Sequence, residues 1–340
     1  MEKPEMTPKE RVFAAINNMD FDVYPAINPT SVATVEAMKL SGAFFPEAHT
    51  DVRKMEALAS VGHDVFGFDS VSPYFSILLE ASALGAEVDW GNIYEMPSVI
   101  KKPINNISDY EIPKNYMSRK EFSAMIEVCS RLKNKYKNEV PVIGKVIGPW
   151  SLAYHLYGVE NLVLDTILEP EKTKAFITML SEIPISFAKE QFNAGADIIV
   201  WADHVTSDLV SAEIYREFIM PIHKKAAVEL QKYGPVILHT CGNVADRLPY
   251  IAGTGFKIFH MDSKNNIAEA VKTVGNRMLI TGCINNPVLL AQGEPQDVKR
   301  AVEENIKSGI KLISPECAIP FSVSSDNLIA LVEATHNTKM

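Results

Sequence analysis

The stretch PVILHTCGN, Pro235 to Asn243, decides how the fold is read. Four apolar-leaning residues run directly into His239, Thr240, Cys241 and Gly242. A short apolar run that stops at a turn residue is the pattern of a buried strand. Side chains at i and i+2 of a strand share a face, with Cα atoms about 6–7 Å apart. His239 and Cys241 can therefore close on one ion. The same two residues also fit an inert strand end, because Cys is often buried and a strand-end His is often just hydrogen-bonded. The rest of the chain weighs between these readings.

Outward from this stretch, short apolar runs alternate with longer helical patterns. Strands are predicted near Tyr24–Pro29, Asp64–Asp69, Val140–Ile147, Asp197–Asp203, Val236–Cys241, Lys257–Asp262, Met278–Cys283 and Lys311–Cys317. Between most of them lie amphipathic helices. Ser211 to Tyr233 is the clearest, with Ser211 as a cap and Pro221 as a source of a kink. Glu294 to Gly309 is another, with Gly309 placed to stop it. About eight strand-then-helix units are the count of a (β/α)8 barrel. A doubly wound sheet is the alternative. One excursion breaks the rhythm: Gly85 to Ile104 reads as extended segments with turns, a hairpin over the barrel mouth. Residues 105–120 read as a polar loop. A single barrel domain over residues 1–340, with an N-terminal helical extension, is the expected organisation.

Composition narrows the function. The chain has 340 residues and a formal net charge of −9, and no Lys/Arg-rich run, so the footprint of a nucleic-acid binder is missing. No apolar run reaches the length of a membrane span, and the N-terminus has no apolar signal segment. Four cysteines, Cys129, Cys241, Cys283 and Cys317, fit a reducing, cytoplasmic compartment. There Cys points more to metal or catalysis than to disulfides. Cys129 falls in a helical pattern and reads as packing.

In a barrel the active site lies at the C-terminal ends of the strands. Those ends carry Asn28 and Thr30, Asp69, Asp203 and His204, His239 and Cys241, His260 and Asp262, Cys283 and Asn285, and Glu316 and Cys317. Two thiols and an imidazole with an open position are the ligand set of a catalytic zinc. His239 and Cys241 need one more Cys, and spacing alone leaves Cys317 and Cys283 equal. Asp262 is a candidate fourth ligand, or an acceptor behind the ligands. Asp203, Asp69 and Asn28 are candidate substrate-handling groups, although backbone N–H groups or helix caps can equally occupy the two Asp. Lys145 lies in an otherwise apolar strand, where it either meets an anionic substrate or pairs with a rim carboxylate.

The order of several short motifs resembles the uroporphyrinogen decarboxylase superfamily, and within it the methylcobamide:coenzyme M methyltransferase branch. The motifs are TPKERVFAAI, NPTSVATVEAM, FFPEAHTD, VIGPWSLA, AGADIIVWAD, EIYREFIMPIHKK, ILHTCGN and PECAIP, spread along nearly the whole chain. The resemblance implies a (β/α)8 barrel with zinc on a His-x-Cys pair and a distant Cys. These positions match His239, Cys241 and Cys317, which breaks the tie against Cys283. An acidic position matches Asp262. Where the family reads Gly-Asn after the seventh strand, this chain reads TGCINN, so Cys283 is a departure. The decarboxylases themselves resemble one another in an early Arg-rich segment that grips porphyrin carboxylates. Here the matching NPTSVATVEAM has no Arg, so such a substrate would be poorly held.

The activity this implies moves a methyl group from a methylcobamide, a methylated corrinoid, to a small thiol, with coenzyme M as the first candidate. A free alkyl thiol with pKa near 8.5 is only about 3% thiolate at pH 7. Zinc deprotonates a bound thiol outright, a gain of roughly 30-fold or about 2 kcal/mol. Two Cys ligands and a substrate thiolate give the zinc site a charge of −1, and Asp262 would make it −2. That excess charge leaves electron density on the attacking sulfur and offsets the nucleophilicity lost on binding. No corrinoid-binding D-x-H-x-x-G motif is present, so a separate methylated corrinoid protein is the expected partner. Two other readings remain: a decarboxylase of the uroporphyrinogen type, and a non-catalytic zinc module that binds a corrinoid protein.

Overall fold

The computed structural model describes residues 5–339. Its first two strands, β1 (Glu87–Asp89) and β2 (Ser98–Lys101), pair antiparallel and form the predicted hairpin of the excursion. The next six form one parallel sheet in chain order: β3 (Ile143–Ile147), β4 (Ile198–Ala202), β5 (Val236–Thr240), β6 (Ile258–Met261), β7 (Leu279–Ile284) and β8 (Leu312–Pro315). A doubly wound sheet would reverse its order partway; this one does not.

The first two predicted barrel strands are shorter than the sequence indicates. Ala26 bridges to Ile313 of β8, and Val71 bridges to Val142 just before β3. The Asp69 N–H donates to the Ala26 carbonyl at 2.7 Å, which joins the two segments and closes the ring. The physical reason for the shortening is local. Pro25 and Pro29 have no N–H to give a ladder. The helix Val52–Asp64 also runs through the expected strand start, so Asp64 is its last residue. The barrel is thus six strands closed by two extended bridging segments.

Helices cover the sheet. Thr7 starts the N-terminal helix Pro8–Ile16 with a reciprocal capping box to Glu10. One hydrophobic cluster runs from Val12 to Val332 and joins that helix to the sheet and to the C-terminal helix Ser325–Asn337. Cys129 is fully buried in the helix Lys120–Tyr136, as packing predicts. The predicted helix Ser211–Tyr233 is broken. Residues Ala212–Ile214 are α-helical, Tyr215–Ile219 form a π-turn, and Met220–Leu230 resume the α-helix. Pro221 offers no N–H to the turn before it, and the ladder slips by one residue there. Among the described residues no helix is long and apolar enough to cross a membrane.

Candidate metal centre

The end of β5 carries the quoted stretch. His239 pairs in register with Ala202 on one side and His260 on the other. Its Nδ1 lies 3.2 Å from the His260 carbonyl oxygen. Nδ1 is thus the donor, and the Nε2 lone pair is left facing inward. Nε2 is 3.1 Å from Cys241 Sγ and 3.5 Å from Cys317 Sγ, and the two sulfurs are 2.7 Å apart. The three ligand atoms lie within 4.8 Å of one another.

The chain after Cys241 must turn sharply. Gly242 has φ +87, and a Cβ there would meet Thr206 Oγ1 at 2.5 Å. Asp262 Oδ2 accepts the Gly242 N–H at 2.7 Å, and Oδ1 accepts the Lys264 N–H at 2.9 Å. Asp262 therefore braces the turn behind Cys241 and stands outside the three-atom cluster. Cys317 is held from its backbone: its carbonyl accepts from Thr30 Oγ1 at 3.0 Å and Asn286 Nδ2 at 2.8 Å. Glu316, beside it, ties the neighbouring strand ends through the Ser263 and Asn286 N–H groups, both at 2.9 Å. Cys283 lies outside the cluster. It is buried with φ +71, and burial pushes its thiol up to about 12.

The hydrogen bond from Cys241 holds the Cys317 thiol well below its usual range, against burial and with help from His239 and Lys145. The same bond keeps the proton on Cys241. A soft donor set of one imidazole nitrogen and two sulfurs, already turned toward one point and one of them inclined to ionise, fits zinc. All three residues line a cavity of about 230 Å³, so the cluster faces open space on one side.

Two more candidates line this cavity. Asp203 does so with both oxygens occupied: Oδ1 accepts the Ser151 N–H at 2.8 Å and Oδ2 meets His223 Nε2 at 3.1 Å. Gly148 is required beside it, since a Cβ there would lie 2.3 Å from Asp203 Cγ. Lys145 enters from β3, and its Nζ lies 5.4 Å from the Tyr74 ring centroid. Burial pulls its ammonium down, while Cys317, Cys241 and Glu80 push it back up.

Asp69 and Asn28 are not in the cavity wall. Asp69 points to the helices, where it meets Arg11 Nη1 at 2.6 Å and His336 Nε2 at 2.8 Å. Asn28 acts through its backbone, which bonds the side chains of Ser70 and Ser72. The sequence reading missed Tyr74, Glu80 and His223. Glu80 is fully buried, accepts from Tyr74 Oη and from the Ile147 N–H at 2.9 Å, and is pushed up to about 7 by burial. His223 is fully buried between Asp203 and Tyr215, whose Oη is 3.2 Å from its Nδ1. Tyr74 lies in a loop and gave no pattern signal, and Glu80 and His223 sit on helices where a lone titratable residue does not reveal its partner.

The fold and nearly the whole length of the chain place it in a known family. Residues 7–338 match the uroporphyrinogen decarboxylase (URO-D) family, and the chain belongs to it. Within that family its strong relatives are methyltransferases. The chain is 35% identical to the methylcobamide:CoM methyltransferase MtbA of Methanosarcina acetivorans, over 98% of this chain and 99% of that protein. It is 32% identical to a methylated-thiol–coenzyme M methyltransferase of Methanosarcina mazei, over 98% of this chain and 90% of that one. A solved methyltransferase structure from Methanosarcina mazei superimposes with a TM-score of 0.92 at 29% identity, covering 97% of this chain and 98% of that one.

Proposed function

We propose that this protein transfers a methyl group from a methylated corrinoid to a small thiol, and that the thiol sulfur binds at His239, Cys241 and Cys317. The single observation that carries the reading is the cluster itself. Three soft ligands converge within 4.8 Å and open onto a cavity. The names of the full-length methyltransferase relatives support the same reaction class, with coenzyme M as the first thiol to try.

A zinc ion held by these three residues would supply a Lewis acid that keeps a bound thiol deprotonated at neutral pH. The chain's own residues do the rest. The His260 carbonyl fixes the His239 tautomer. Asp262 fixes the turn that aims Cys241. Apolar lining from Phe75, Ile77 and Ile147 keeps water from the sulfur. The corrinoid arrives at the cavity mouth, and a protein carrier adds contacts remote from the reacting methyl.

The test is anaerobic turnover of methylcobalamin with coenzyme M, followed by the corrinoid's visible spectrum. Loss of the methyl-cobalt spectrum that requires the thiol, the protein and its metal supports the reading. Methylcobalamin left intact with coenzyme M, homocysteine and other small thiols overturns it and favours a non-catalytic module. Carbon dioxide released from uroporphyrinogen would restore the decarboxylase reading.

A further inference from the structure

We propose that Glu80, acting through Tyr74, takes up the proton that a thiol gives off when its sulfur binds at the His239–Cys241–Cys317 cluster. The inference rests on the reading of that cluster as a thiol site.

A thiol that binds as a thiolate must leave its proton with another group or with solvent. Most titratable groups of the cavity wall are poor takers. Asp203 has its oxygens engaged by Ser151 and His223. Burial lowers the proton affinity of His155 and His204. Glu80 stands directly behind the wall. It is fully buried in the helix Leu79–Ala83, and both of its hydrogen-bond partners line the cavity. Oε2 accepts from Tyr74 Oη, and Oε1 accepts the Ile147 N–H at 2.9 Å.

No cation hydrogen-bonds this carboxyl group among the described residues. Lys145, over the Tyr74 ring, acts on it only through space. The helix Lys120–Tyr136 packs alongside, and its Glu121 is held by Ser82. The helix Pro149–Leu156 also packs there, and its Tyr154 and His155 line the cavity. A buried carboxyl with no ion pair keeps a proton more readily than a free one. Burial pushes Glu80 up to about 7, against its two hydrogen bonds and Lys145. At neutral pH the group can therefore both take a proton and give it back.

The transfer balances. The S–H bond breaks, and its electron pair stays on the sulfur at the cluster. The proton goes to Tyr74 Oη as Tyr74 passes its own to Glu80 Oε2, so Tyr74 is neutral before and after. The carboxylate becomes a carboxylic acid. The bound sulfur adds a negative charge to the site, which raises the carboxyl's hold on that proton. A methylated sulfur does not need the proton back, so Glu80 releases it to solvent when the product leaves.

The experiment counts the protons released to solvent when coenzyme M binds the zinc-loaded full chain. Calorimetry in buffers of different ionisation enthalpy reads the count at pH 6 and pH 7.5. Roughly nine-tenths of Glu80 is already protonated at the lower pH, and roughly three-quarters is ionised at the higher. Release should therefore be about one proton at the lower pH and below about half a proton at the higher. Glu80→Gln keeps the shape of the side chain and should release about one proton at both. Tyr74→Phe removes a donor that favours the carboxylate, so Glu80 stays protonated and release again stays near one. Zinc content and thermal unfolding check that the variants are folded and loaded. The proposal falls if the parent releases about one proton at both pH values. It falls equally if release by either folded, loaded variant drops with pH as the parent's does, because the proton then goes elsewhere in the site. Failure of coenzyme M to bind the parent protein would instead overturn the thiol site itself.

Discussion

The Nδ1 of His239 and the carbonyl oxygen of His260 lie 3.2 Å apart, at paired positions of β5 and β6. That contact makes one ring nitrogen a donor and turns the other toward two sulfurs. The sheet register, more than the local sequence, prepares the ligand.

The first consequence is metal content. The protein isolated without chelator should carry about one zinc per chain. Cys241→Ala and Cys317→Ala should each lose most of it, and Cys283→Ser should retain it, because Cys283 lies outside the cluster. Elemental analysis of the purified variants decides. Equal loss in all three would mean that the cluster is not the site.

Asp262 gives a subtler test. It holds the Gly242 N–H at 2.7 Å and the Lys264 N–H at 2.9 Å. In Asp262→Asn an amide must place its NH2 against one of those donors. Zinc affinity should fall about tenfold, the lower end for a residue behind a ligand. Competition with a chromophoric chelator measures it. Unchanged affinity would remove Asp262 from the support of Cys241.

Much of this was legible in the sequence, and the failures have physical causes. β3 to β8 stood out because each is an apolar run closed by a turn residue. The first two barrel segments did not, because Pro25 and Pro29 and the extended helix Val52–Asp64 shorten them to single bridges. His239 and Cys241 were readable from a two-residue period, whereas spacing left Cys317 and Cys283 equal, because they end different strands, and only the family resemblance chose Cys317; the fold brings its sulfur to 2.7 Å from Cys241 Sγ. Glu80 and His223 were invisible, because their partners Tyr74 and Asp203 meet them only in the folded chain.

Asp69 was read as an active-site candidate because it ends an apolar run. Its side chain faces the other way, between Arg11 and His336. Asp69→Asn should therefore cost stability and spare thiol binding. Breaking a buried pair costs about 3–5 kcal/mol, although Arg11 keeps Asp22 as a second partner at 2.7 Å and reduces the loss. Denaturant unfolding and calorimetric thiol binding on the same variant separate the two. Weakened thiol binding at unchanged stability would return Asp69 to the site.

His49 governs part of the acid limb of stability. Burial holds its imidazole down to about 4, opposed in part by the Trp90 backbone, and its ring stacks on Phe45 at 3.9 Å. Free histidine titrates near 6.5. Between those values the unfolded chain binds a proton that the folded chain refuses. The stability from neutral His49 is thus complete above about pH 6.5 and is lost as pH falls toward 4. Phenylalanine keeps the stack and removes the titration. From pH 6.5 to 5, His49→Phe should lose about 2 kcal/mol less stability than the parent. Urea unfolding at a series of pH values reads the difference, and superimposable acid limbs would refute it.

The hairpin is where a protein carrier of the corrinoid should be felt. Met96, which begins the return from its turn, lines the cavity and is 54% exposed. Two residues earlier, Tyr94 is 68% exposed and is no part of the cavity wall. An aromatic ring this open is the kind of side chain that anchors a partner. If the carrier docks over the mouth, Tyr94→Ala should lower kcat/KM for a methylated corrinoid protein by about tenfold, a typical loss for an aromatic anchor. Free methylcobalamin, which has no protein to dock, should react at the parent rate. The two donors are thus internal controls on one variant. An equal loss with both would place the defect in the cavity. No loss with either would leave the hairpin a roof with no part in carrier recognition.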